Sequence, residues 1–172
     1  QLTRVAAALA AAAMIAPVAA KEFRNSDVHP ADYPTVMAVN YMSDIIKQKT
    51  GGKHSIKTFF GGTLGSDQAN VSAIQGGTLE MASMNSGIFA SQVKEFAIYD
   101  FPFMFANAKE ADAVVDGPFG QKLHAKLAEK GIVGLAYTEL GFRQLTNSKR
   151  AVNTVEDIAG LKLRVIPNAI NV

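Results

Sequence analysis

Few side chains in this 172-residue sequence are spaced for chemistry. With no Cys, thiol nucleophiles and thiolate metal ligands are excluded. The histidines, His29, His54 and His124, stand far apart, and none has a His or carboxylate four residues away in a zinc pattern. No Gly-x-Ser-x-Gly elbow occurs. The stretch "GGTLGSDQ" (61–68) has the glycines of a phosphate loop but not its Gly-Lys-Ser/Thr ending. It reads as a turn into a helix whose N-terminus is open to an anion. The acids of Glu110/Asp112 and Glu156/Asp157 fall on helices or at helix starts, where stabilising the positive end accounts for them. Neither a metal site nor a catalytic constellation is expected, and no cofactor.

Two arginines behave differently. Arg143 lies in "LGFRQLTNS" (140–148) and Arg164 in "GLKLRVIPN" (160–168), each among apolar or small polar neighbours instead of acids. In the second stretch Leu161, Leu163 and Val165 alternate with Lys162, Arg164 and Ile166, a strand pattern. Arg is permanently charged, and its planar fork matches a carboxylate bidentately. An Arg on such a strand either lays its stem over apolar surface with its head in water or awaits an anion that the ligand supplies. The residue pattern leaves both open.

The elements that would position these residues follow from periodicity. Residues 1–20 carry one basic residue, Arg4, then small and apolar residues closing on Val-Ala-Ala. This is the layout of a secretory signal peptide cleaved after Ala20. Its loss lowers the net charge from +2 to +1, so no broad basic surface for nucleic acid is implied. About 150 residues remain, one domain by length, with 48% apolar content to form a core without disulfides.

A short strand is expected over 22–26. A helix over 33–49 comes next, with Asp32 as N-cap, Pro34 in the first turn and an apolar stripe of Met37, Tyr41 and Ile45 beside Ala38, Met42 and Ile46. A strand over 54–60, a helix over 67–76 capped by Ser66 with Val71 and Ile74 inward, and a strand over 79–85 complete a β-α-β-α-β order. That order indicates an α/β sheet with helices on its faces. The five Phe of 89–105 suggest a buried crossing of loop and short helix. A helix from Pro118 to Gly131, strands over 132–140 and 160–168, and a helical turn at "TVED" (154–157) complete the expectations.

Three stretches in order, "TGGKHSIKTFFGGTLGSDQANVSAIQGGTLEMASMNSGIF", "YDFPFMF" and "GFRQLTNSKRAVNTVEDIAGLKLRV", resemble the periplasmic solute-binding subunit of tripartite ATP-independent periplasmic (TRAP) transporters, of the dicarboxylate-binding, DctP type. The resemblance covers nearly all of the chain after the signal. It implies a two-lobed, periplasmic-binding-protein-like α/β fold: signal peptide 1–20, lobe one over 21–140, and the start of a truncated lobe two over 141–172. It further implies a periplasmic monomer that captures an organic acid and hands it to the membrane permease. "EDIAGLKLRV" matches the family's clamp motif, so the carboxylate clamp falls on Arg164 and a second ligand contact on Arg143. Asn85, His29 and Asp32 are the implied cleft residues of the other lobe, with Gln68 a further candidate at a helix start. "HPADYPTV" and "TGGKH" look closest to members that take sugar acids such as uronates; C4-dicarboxylates are the other class.

The alternative is an exported hydrolase or lyase acting on acidic sugars. It needs a general acid and base facing each other across a cleft, for which Asp32 with Glu80 or Asp100 are the available candidates.

Overall fold

The computed structural model describes residues 19–142, 144–165 and 170; the expected signal peptide, except its last two residues, and Arg143 lie outside them. Strand β1 (Lys21–Asp27) is the centre of a three-stranded sheet, with β2 (His54–Phe59) on one side and β3 (Met81–Ser83) on the other. Both pairings are parallel: Phe23 is in register with Ile56, and Asp27 with Ser83. Parallel neighbours require crossovers. Helix α1 (Pro34–Lys49) makes the first and helix α2 (Asp67–Gln75) the second.

Helix α1 starts where the residue pattern places it, but its N-cap is Tyr33, with no side-chain cap bond, instead of Asp32. Pro34 supplies the preset φ of the first turn. Lys47 and Lys49 sit in the last turn against the negative end, and Gly51 and Gly52 leave the helix at φ +60° and +81°.

The rotation of α1 differs from the expected stripe. Met37 and Tyr41 are 58% and 70% exposed, whereas Thr35, Val36 and Ser43 are buried. Polar contacts select this face. The Ser43 hydroxyl donates to the Ile56 carbonyl and accepts the Ile56 N–H, both at 2.9 Å, covering backbone groups of edge strand β2.

Helix α2 begins as expected, with the Ser66 side chain accepting the Ala69 N–H. Beyond β3 the chain forms two 3-10 turns, Ser86–Ser91 and Lys94–Asp100, then α3 (Ala108–Val115) and α4 (Pro118–Ala128). The main apolar cluster joins Val71, Ile88, Val93, Phe96, Leu123, Leu127 and Ile132. The Phe-rich stretch divides. Phe89 and Phe96 pack at 5.5 Å between centroids, whereas Phe101 and Phe103 face outward, Phe103 fully exposed at φ +62°.

Neither the expected strand over 132–140 nor the described part of the one over 160–168 forms. A strand exists through its hydrogen-bonded neighbour, and among the described residues these segments have none. The "TVED" stretch gives a 3-10 turn, Glu156–Ile158, with Asp157 Oδ2 accepting the Asn153 and Thr154 N–H groups.

The contrast between Phe96 and Phe103 is measurable in urea. Phe96→Ala should destabilise the fold by about 3–5 kcal/mol, as large-to-small changes do in a packed core. Phe103→Ala should stay within about 0.5 kcal/mol of the parent.

Candidate functional site

In an open parallel sheet, ligands bind beyond the carboxyl ends of the strands, where the strand order reverses. Here that point lies between β1 and β3, because the first crossover leaves β1 toward β2 and the second returns past β1. The end of β1 is Asn25-Ser26-Asp27, three consecutive polar residues, each at most 1% exposed. Buried charge is costly unless it is hydrogen-bonded, and the Asp27 carboxylate is. Oδ1 accepts the His29 N–H at 2.9 Å and lies 2.7 Å from His29 Nδ1; Oδ2 accepts the Thr35 hydroxyl at 2.7 Å. With Nδ1 directed at the carboxylate, Nε2 is the ring nitrogen left for another partner. The imidazole also stacks on Tyr33, centroids 4.1 Å apart and planes within 9°.

The glycine loop between β2 and α2 closes over this end. Gly61 N donates to the His29 carbonyl and Gly62 N to the Asp27 carbonyl. These N–H groups serve the protein's own backbone, which bears out the reading of "GGTLGSDQ" as a turn and not a phosphate cradle.

The loop delivers Asp67 to the cluster as the first residue of α2. Its carboxyl is pushed above the ordinary value of 3.8, first by desolvation and further by the Asp27 charge. The Asn85 backbone N–H, His29 and Arg164 pull it back down. Asp67 is therefore acted on by Asp27, His29, Asn85 and Arg164, which come from three other parts of the chain. Asp67 Oδ1, Asn25 Nδ2, Ser26 Oγ and both amide atoms of Asn70 are buried with no hydrogen-bond partner among the described residues.

Of the residues singled out from sequence, His29, Asn85 and Arg164 are the ones whose charge or backbone N–H acts on Asp67. Asn85 also caps a 3-10 turn through Oδ1 and the Gly87 N–H. Arg164 is exposed on an irregular segment. Gln68 is exposed beside Asp67. Asp32 is exposed, and no described interaction carries it into the cluster. Arg143 lies outside the described residues.

Residue pattern does not single out Asp27, Tyr33, Thr35, Asp67 or Asn70. The available signal is Asn-Ser-Asp at the end of a strand, three polar residues in a row where burial of the strand end would favour apolar ones.

Two cavities among the described residues lie away from this cluster. The larger, about 260 Å³, is lined by Ile98, Tyr99, Met104, Phe105, Val114 and Phe119, with Glu110. The carboxylate of Glu110 is spent on the Ala106 N–H. Among the described residues, no group of His, Asp and Glu is arranged to hold a metal, and no helix is long and apolar enough to cross a membrane.

A family model described as bacterial extracellular solute-binding protein, family 7 (DctP), matches residues 25–172. The sugar acid binding protein of Advenella mimigardefordensis, solved with galactonate, is 37% identical with a TM-score of 0.86; the match covers 89% of this chain and 49% of that one. A TRAP periplasmic solute-binding protein of Xanthobacter autotrophicus, solved with bound β-D-galacturonate, is 39% identical with a TM-score of 0.67, over 69% of this chain and 40% of that one. The 2,3-diketo-L-gulonate-binding periplasmic protein of Escherichia coli is 36% identical over 79% of this chain and 42% of its own length. The chain thus spans less than half the length of each. The mixed helix and parallel-sheet fold is that of the TRAP periplasmic binding proteins.

The raised Asp67 carboxyl sets a pH dependence. A group whose folded pKa exceeds its unfolded value favours folding below the unfolded value, and that stability is lost as pH rises through the folded value. The difference in Tm between Asp67→Asn and the parent should therefore shift in the variant's favour from below pH 3.8 to pH 7. Thermal denaturation monitored by circular dichroism across that range measures it, and a pH-independent difference would contradict the assignment.

Proposed function

Because the chain belongs to the DctP family of bacterial extracellular solute-binding proteins, we propose that it is the periplasmic receptor of a TRAP transporter, holding a sugar acid by its carboxylate and delivering it to the membrane permease. The observation that supports this reading is that Arg164, His29 and the Asn85 N–H all act on Asp67, at the start of the helix that follows β2. The Arg164 guanidinium pairs bidentately with the ligand carboxylate, with Arg143 as a second contact. His29, held on Asp27, and Asn85 meet the rest of the ligand. Gln68 and Asp32 are outer contacts of the same cleft. Residues 1–20 are its export signal, 21–140 its first lobe, and 141 onward the start of the second. Lobe closure takes the ion pair out of water, where each charge-assisted bond counts for more than in an open site.

The family and structural relatives are substrate-binding proteins, and one acid of the enzyme alternative, Glu80, is poorly disposed for proton transfer. Glu80 is paired with Arg24 at 3.1 Å, and that hydrogen bond holds its carboxyl below the usual range. A carboxylate so held is a poor general acid. C4-dicarboxylates remain the second ligand class.

Titration calorimetry of the full-length protein against galactonate, galacturonate and succinate tests the reading. Arg164→Ala should weaken binding by at least about a hundredfold, as expected when one partner of a desolvated ion pair is removed. Arg164→Lys, which keeps the charge without the fork, should not restore it. Unchanged affinity in Arg164→Ala would show that the carboxylate is held elsewhere.

A further inference from the structure

Among the described residues, the segment that carries Arg164 has no sheet partner to hold it. Residues 161–165 pair with no strand, and residues 162–165 are exposed. The nearest described backbone bond before the arginine is that of the Leu161 N–H, donated to the Ile158 carbonyl at 3.0 Å. The turn that ends at Gly160 therefore sets where the root of the Arg164 side chain lies. Four residues span up to about 13 Å when extended, so a small change of direction at the turn displaces the guanidinium by several ångströms.

One side chain grips that turn. Arg150 donates from Nε and Nη2 to the Asp157 carbonyl, at 3.0 and 2.9 Å, and from Nη2 to the Ala159 carbonyl. Its backbone is held in turn by Asn147, whose Oδ1 accepts the Lys149 and Arg150 N–H groups at 2.9 and 3.0 Å. Within the same loop, Asp157 Oδ2 accepts the Asn153 and Thr154 N–H groups. Residues 147–161 are thus knitted into one hydrogen-bonded loop, which the chain leaves through Gly160 at φ +77°. An arginine that waits for a ligand keeps its fork open, whereas the fork of Arg150 is already committed to two carbonyls of the protein. Reaching two carbonyls two residues apart uses a planar set of donors that lysine lacks.

We infer that Arg150 is a positioning residue of the site: by gripping the Asp157 and Ala159 carbonyls it sets the direction in which the chain leaves Gly160, and so presents Arg164 to the ligand without touching the ligand itself. The inference rests on the solute-binding reading above and deepens it, adding a residue that acts through Arg164. The long Arg164 side chain remains free to turn in water; what the loop fixes is the backbone it reaches from. Loosening the loop leaves only a fraction of the molecules competent to bind, and the apparent affinity falls by that fraction.

Two measurements on the full-length protein test this. Without ligand, amide hydrogen exchange in Arg150→Ala should quicken at least about tenfold at Ile158, Ala159 and Leu161, whose N–H groups close the turn. Exchange at Ile56, bonded to Ser43, should not change. In stopped-flow binding of galactonate and galacturonate, the variant should associate about tenfold more slowly, as for a site competent about a tenth of the time, and dissociate at the parental rate. Loss of a direct ligand contact would instead raise the dissociation rate. Arg150→Lys keeps the charge without the fork and should behave like Arg150→Ala. Gly160→Ala should repeat the slow association, because no neighbour meets the added Cβ and only the backbone conformation is opposed. A melting curve confirms that each variant is folded. Faster dissociation in Arg150→Ala, full recovery in Arg150→Lys, or parental association despite quickened exchange would overturn the role of Arg150 while the solute-binding reading stands. If the parent binds neither acid, that reading fails and this inference with it.

Discussion

The Asp27 carboxylate is the constraint on which the candidate site depends. It is fully buried at the end of the central strand, where an ionised group survives only if its oxygens are bonded. Its donors come from two different pieces of chain: the backbone and ring of His29, and the hydroxyl of Thr35 in the first turn of α1. Satisfying one carboxylate therefore fixes the course of residues 28–33, the orientation of the imidazole and the phase at which α1 begins. Ser43, two turns further on, locks the same phase to β2 through the backbone of Ile56. Met37 and Tyr41 lie outward as a consequence, because a hydrogen-bonded face and an apolar face one position apart cannot both point inward.

Strand direction and backbone hydrogen bonds gather the cluster at one end of the sheet. All three strands run parallel, so their carboxyl ends share an edge, and the loops after β1 and β3 and the start of α2 meet there. The glycine loop is drawn onto that edge by the carbonyls of Asp27 and His29. Gly61 and Gly62 adopt φ +66° and +70° to place those N–H groups, a conformation that other residues enter at a steric cost. The residues that end the loop and open α2, Ser66 and Asp67, are thereby delivered beside Asn85 and His29. The glycines act as positioning elements for an acid, and not as ligands to an anion.

Local signals were the legible part of the fold. Pro34, Ser66 and Pro118 each mark a helix start by chemistry confined to one turn, and the crossover order of the first three strands followed from spacing. Helix α3 carries a comparable local signal: Asn107 Oδ1 accepts the Glu110 N–H, while the Glu110 carboxylate reaches back to the Ala106 N–H, one residue before the cap. Of the cluster around Asp67, family resemblance had pointed to His29, Asn85 and Arg164. Asp27 and Asp67 escaped because a single acid near a turn or a helix start has an adequate local explanation. Asp27 bonds residues two and eight positions on, across a strand end and a helix start, and Asp67 is acted on by His29, Asn85 and Arg164, which no single periodic window contains. The alternation of 160–165 is a real pattern without a described pairing strand, and pattern alone does not form a ladder.

Arg164 and the strand-end cluster differ in how they are held, and this bears on how such a site would recognise a ligand. Asp27, His29 and Thr35 are set in advance by buried hydrogen bonds, so little ordering is left for them to undergo on binding. Arg164 stands exposed on an irregular segment, its head hydrated and its charge already acting on Asp67. A guanidinium left in water can be reoriented at little cost, so the strand-end cluster supplies the fixed part of the arrangement and Arg164 the adaptable part.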